Sequence, residues 1–153
     1  MKDKNIELYK CKVGHSNIKK MMRDVDANFG GEHSAHFYYK DNFYADSAIL
    51  TLLIFMKMLS EKNHSISSII DKYNFPPSSG EINFVVEDIE SSIDKIKNIF
   101  DGEFDNTDGL SCFNSNFWFN VRGSNTESKL RINIEADNQE ILDQVLEKIS
   151  SSI

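Results

Sequence analysis

The 153-residue chain has room for one domain or two small ones, and its 40% hydrophobic content is enough for a packed core. A net charge of −7 argues against a broad nucleic-acid or anionic-membrane surface, since both need cations clustered over a wide face, but it leaves open a local basic pocket for a small anion. Cys11 and Cys112 stand far apart in unlike contexts, which is the pattern of reduced structural thiols in a cytoplasmic protein and not of a disulfide framework. The charged start Met1-Lys2-Asp3-Lys4-Asn5 is followed by no apolar core region, so no signal peptide is expected.

In chain order, Ile6 to Val13 has strand-like composition, and Gly14-His15-Ser16 turns into a helix with Ser16 as the expected N-cap and Ile18, Met21, Met22 and Val25 on one face. A loop from Asn28 to Ala35 leads to a short strand, His36 to Tyr39. Asp46 is the expected cap of a helix running to about Lys62. It is apolar nearly all round, as helices covered by other layers are. The run Ala48 to Met56 within it is too short to span a bilayer and is closed by Lys57. A helical turn at Ile66, Ile69, Ile70 and Tyr73 ends before the breaker Phe75-Pro76-Pro77-Ser78-Ser79-Gly80, the best domain boundary in the chain.

Beyond it, Glu81 to Val86 predicts a strand, Asp88 caps a helix with Ile89, Ile93, Ile96 and Phe100 on one side, and Gly109 to Phe113 begins further strands. Phe117, Phe119 and Val121 alternate with Trp118, Asn120 and Arg122, and Leu130, Ile132 and Ile134 alternate with Arg131, Asn133 and Glu135: two half-buried strands. An Asp137-x-x-Glu140 arrangement opens a last helix burying Ile141, Leu142, Val145, Leu146 and Ile149. An α+β unit with helices on one face of an antiparallel sheet follows.

Between those two strands lies Arg122-Gly123-Ser124-Asn125-Thr126-Glu127, which places a guanidinium, two hydroxyls and a carboxamide together. A phosphate dianion is held by charge-assisted hydrogen bonds from such groups and from exposed backbone N–H. An ordinary hairpin turn accounts for Gly-Ser-Asn equally well on spacing alone. A second polar block, Gly30-Gly31-Glu32-His33-Ser34-Ala35-His36, sets a carboxylate beside a hydroxyl on a backbone that can approach a ligand, which suits sugar hydroxyls that both donate and accept.

The stretch Phe117 to Ala136 resembles the C-terminal phosphate-binding signature of the α-D-phosphohexomutases, the phosphoglucomutase/phosphomannomutase superfamily. Gly30 to His36 resembles that family's sugar-binding loop, and Val13-Gly14-His15-Ser16-Asn17-Ile18-Lys19 the segment just before it. The resemblance covers essentially the whole chain, as the back part of a four-domain enzyme. It implies an α/β plus α+β organisation: residues 1–75 as the C-terminal part of an α/β/α domain 3, 76–80 as linker, and 81–153 as domain 4 with a TATA-binding-protein-like antiparallel sheet. It also implies that Arg122, Gly123, Ser124, Asn125 and Thr126 bind phosphate. Glu32 and Ser34 would contact sugar hydroxyls, with His15 and His36 hydrogen-bonding the sugar or assisting proton transfer. Two departures stand out, Ala35 where many members have glycine and Ser128 where proline is usual.

The family's phosphoserine loop of Thr-Ala-Ser-His-Asn type and metal loop of Asp-Gly-Asp-x-Asp-Arg type do not occur in these 153 residues. The resemblance thus implies recognition machinery of an isomerase that moves phosphate between C1 and C6 of a hexose, inactive alone. Mg²⁺ and the catalytic serine would come from elsewhere, with hexose phosphate and a separate front-half chain as expected partners. A non-catalytic phosphosugar-binding module and a degenerate fragment are the alternatives. A rival reading takes His15, His33 and His36 with Glu32 as transition-metal ligands, but the His-x-x-His spacing is loose and no cysteine pattern accompanies it, so no metal is assigned.

Overall fold

The computed structural model describes residues 6–62, 65–73, 75–124 and 127–153. They divide into two compact units, 1–74 and 75–153.

The first unit starts with an irregular stretch, so the strand expected over Ile6 to Val13 does not form. A strand is made by a ladder of backbone hydrogen bonds, and the unit's sheet is built from three other short segments. Helix α1 (His15–Asp24) follows, with Gly14 at its N-cap and no side-chain cap; the cap expected at Ser16 is corrected to Gly14, whose φ of 113° suits glycine. Strands β1 (Phe29–Gly31), β2 (Phe37–Tyr39) and β3 (Ala45–Asp46) form an antiparallel sheet in that order, with Phe29 opposite Tyr39 and Tyr38 opposite Asp46. β1 occupies part of the stretch expected to be loop.

Gly30 lets β1 approach α1, because a Cβ there would meet Met22 Sδ at 2.8 Å and Ile18 Cγ2 at 3.2 Å. Ile18, Met22 and Tyr38 are the buried core of this unit, flanked by Cys11, Ala27 and Tyr44. Helix α2 (Ala48–Lys62) is capped by Ser47, whose Oγ accepts from Leu50 N at 3.2 Å; Asp46, the expected cap, belongs to β3 instead. Tyr39 and Thr51 tie α2 to β2 by a hydroxyl–hydroxyl hydrogen bond of 2.8 Å. Most of α2's apolar surface is nonetheless exposed, with Ile49 at 73% and Leu52, Leu53, Ile54 and Met56 all above half. Helix α3 (Ile66–Ile70), capped by Ser65, closes the unit.

The second unit is a five-stranded antiparallel sheet of order β4-β8-β7-β6-β5, built from β4 (Ile82–Val85), β5 (Glu103–Asp105), β6 (Leu110–Phe113), β7 (Phe117–Gly123) and β8 (Lys129–Ala136). The period-2 alternation decides its faces. Phe119, Val121, Leu130, Ile132 and Ile134 are fully buried and pack with Ile96 and Phe100 and with Leu142, Val145 and Ile149. Ile96 belongs to helix α4 (Ile89–Ile99), Phe100 is the C-cap of α4, and the other three belong to α5 (Gln139–Ser150), so both helices serve the same core as that sheet face. Asp88 caps α4 by accepting from Ser91 N at 3.0 Å. α5 is capped by Asn138, accepting from Ile141 N at 3.0 Å, and not by Asp137 as the capping pattern suggested.

The Pro-Pro-Ser-Ser-Gly stretch is bound to this sheet and does not hang free. Ala136 N donates to Pro77 O at 3.1 Å and Ser79 N to Ile134 O at 2.9 Å, extending the pairing of β8 beyond β4.

Candidate functional site

On the first unit, β2 and the turn before it collect the sugar-reading candidates. The loop from β1 returns with Glu32 N donating to His36 O at 2.9 Å and Ala35 N to Glu32 O at 3.0 Å. The turn needs Ala35 at φ 63°, the left-handed region where a Cβ costs about 1–2 kcal/mol. That conformation is why glycine suits the position and why the departure noted in the sequence carries strain.

Each candidate side chain has a partner. The Tyr38 hydroxyl donates to Glu32 Oε1 from a fully buried ring, so the half-buried carboxylate is anchored from the core side. Burial, and after it the Glu32 carboxylate, pushes the Tyr38 phenol far above its ordinary value, which keeps it a donor. Ser34 Oγ and His36 Nδ1 are hydrogen-bonded at 2.9 Å. His15, the first residue of α1, places Nδ1 3.3 Å from Asp46 Oδ1 at the end of β3, and its ring meets those of His36 and Tyr38 edge-on, with centroids 5.3 and 5.6 Å apart.

The structure thus brings His15 and His36 together and adds Asp46, the expected cap of α2. His15, His36 and Asp46 offer donor atoms all within 4.8 Å of one another. Neither His33 nor Glu32 joins that set, which corrects the rival ligand reading: His33 is exposed, and Glu32 is engaged by Tyr38. Mg²⁺, the cation the resemblance implies, takes oxygen ligands in octahedral geometry. Two imidazoles and one carboxylate do not fit it.

On the second unit, Arg122 lies near the end of β7 on the polar face of the sheet, directly opposite Arg131 on β8. Glu81 stands between them, its two oxygens 3.6 Å from Arg122 and 3.6 Å from Arg131. Gly123 admits the close approach of α4, because a Cβ there would meet Ile89 Cγ2 at 2.9 Å. Beyond it Ser124 N donates to Lys129 O at 2.8 Å, and Lys129 pairs with Glu127 at 3.0 Å, which closes the β7–β8 connection. Asn125 and Thr126, the other predicted phosphate ligands, lie outside the described residues. Glu81 was missed as a site residue, since only the register of β4, β8 and β7 sets it beside both arginines.

Comparison with known proteins follows this division. The family model described as phosphoglucomutase/phosphomannomutase, alpha/beta/alpha domain III, matches residues 1–74, and the phosphoglucomutase/phosphomannomutase C-terminal domain matches residues 81–152. The chain is 43% identical over 145 residues to a phosphomannomutase of Methanocaldococcus jannaschii, covering 94% of this chain and 32% of that protein. It is 38% identical over 129 residues to phosphohexose mutases of Xanthomonas campestris, covering 82% of this chain and 29% of the relative. Among solved structures, a phosphoglucomutase/phosphomannomutase family protein from Burkholderia thailandensis superposes with a TM-score of 0.75 at 26% identity, over 93% of this chain and 31% of that one. The chain spans about a third of the length of these relatives. Among the described residues, no helix is long and apolar enough to cross a membrane. With both of its units matched by family models, the chain belongs to the phosphoglucomutase/phosphomannomutase family.

Proposed function

We propose that this chain recognises hexose phosphates as part of an enzyme that interconverts hexose 1-phosphate and hexose 6-phosphate. The observation that carries this reading is the anchored set on the first unit: Glu32 held by Tyr38, His36 by Ser34 and His15 by Asp46. A carboxylate, a hydroxyl and two imidazoles fixed from behind offer acceptors and donors to sugar hydroxyls at little ordering cost on binding. Arg122, Ser124, Asn125 and Thr126 bind the phosphate that is not reacting, and His15 and His36 are placed to pass a proton to or from a sugar oxygen. The phosphoserine and Mg²⁺ of the reaction are contributed by residues other than these 153, so the chain alone binds and does not turn over.

Two or three charge-assisted hydrogen bonds of about 1.5–3 kcal/mol each do little more than offset the cost of association, so binding by the chain alone is close to millimolar. Calorimetric titration with glucose 1-phosphate tests this. Arg122→Ala is expected to abolish the binding; undiminished affinity in that variant contradicts the assignment of the cradle.

A further inference from the structure

We propose that His15, His36 and Asp46 form a binding site for a divalent transition cation of the Zn²⁺ class. The three residues come from three separate elements, the start of α1, the approach to β2 and the end of β3, and their donor atoms converge within 4.8 Å.

The spacing suits a metal. Zn²⁺ bonds nitrogen and carboxylate oxygen at about 2.0–2.2 Å, and adjacent ligands of a tetrahedron are then roughly 3.3–3.5 Å apart. His15 Nδ1 and Asp46 Oδ1 are 3.3 Å apart. His36 closes the set with a small side-chain adjustment, since 4.8 Å is somewhat wider than an adjacent pair requires and the residue is exposed. Ser34 holds one of its ring nitrogens, the outer-shell contact that orients a ligating imidazole and leaves the other nitrogen for the cation. Two imidazoles and a carboxylate select Zn²⁺, Co²⁺ or Ni²⁺ over Mg²⁺ and Ca²⁺. Three protein ligands leave at least one position for water, as in open zinc sites.

Zn²⁺ bound here occupies the two imidazoles that read the sugar, and the two ligands exclude each other. That consequence rests on the reading under Proposed function; the metal site itself does not.

The test is calorimetric titration of the whole chain with ZnCl₂, followed by the visible absorption of Co²⁺ in the same site. One equivalent is expected to bind. His15→Ala, His36→Ala and Asp46→Asn are each expected to weaken it by more than the roughly 10–100-fold that loss of an outer-shell partner costs, and Ser34→Ala by about that factor. His33→Ala and Cys11→Ser leave it unchanged. His36→Gln, with the bulk of the side chain retained and the helix signal checked by circular dichroism, shows the same loss as His36→Ala. Equal Zn²⁺ affinity in wild type, His15→Ala and His36→Ala overturns the proposal, as does a thiolate charge-transfer band with Co²⁺. Zn²⁺ binding in a chain that binds no hexose phosphate leaves the metal site standing and contradicts only the sugar reading.

Discussion

Arg122 and Arg131 sit directly opposite one another on β7 and β8, with the Glu81 carboxylate 3.6 Å from a guanidinium nitrogen of each. Two like charges facing across a ladder repel, and Glu81 offsets that repulsion. The same carboxylate occupies the field that a phosphate dianion would use. Glu81→Gln is therefore expected to tighten phosphosugar binding. All three side chains are partly exposed, so the pairing is worth at most ~1 kcal/mol and the gain is at most about fivefold. Comparing calorimetric affinities for glucose 1-phosphate in the two proteins checks it; weaker binding in the variant means that Glu81 positions Arg122 for the ligand and does not compete with it.

Ala35→Gly is expected to stabilise the first unit. It removes a left-handed penalty of about 1–2 kcal/mol and adds about 0.4–1 kcal/mol of unfolded-chain entropy, a net gain of the order of 1 kcal/mol. Urea unfolding followed by a probe in the first unit measures it, and an unchanged midpoint argues against a strained turn.

Alkaline pH is expected to destabilise the first unit through Tyr38. Its folded value is raised above the ordinary 10.0, so the protonated phenol's contribution is fully present below pH 10.0 and is lost as pH rises beyond it. The decline approaches about 1.4 kcal/mol per pH unit. Unfolding midpoints measured across that range should fall less steeply in Tyr38→Phe; parallel declines in both proteins would locate the titration in other groups.

The two units differ in how much they bury. The first has Ile18, Met22 and Tyr38 as its buried core, and most large apolar side chains of α2 are open to solvent; the second buries a continuous set from β6, β7, β8 and the two helices, with Phe84 of β4 and Phe104 of β5 packed against it. Residues 75–153 are expected to fold alone, and 1–74 to be less protected in hydrogen exchange. Uniform protection across both units contradicts this.

The periodic segments were legible in the sequence because their pattern is local. β7 and β8 declare themselves by alternation, and α4 by Asp88 and its apolar face. What depends on distant partners was not. Ile6 to Val13 has strand composition but joins no strand ladder among the described residues, β1 has only three residues, and a one-residue shift moves the α5 cap from Asp137 to Asn138. Asp46 read as a helix cap because its pairing with Tyr38 and its contact with His15 both depend on the β2–β3 pairing. The all-round apolarity of α2 signalled burial, and the described residues leave it largely uncovered.

The most direct test of phosphosugar recognition is to follow the backbone amide signals of the labelled chain while glucose 6-phosphate or mannose 1-phosphate is added. Shifts confined to 122–126 and 32–36 are the predicted result. Absence of any shift at millimolar ligand would contradict recognition by this chain.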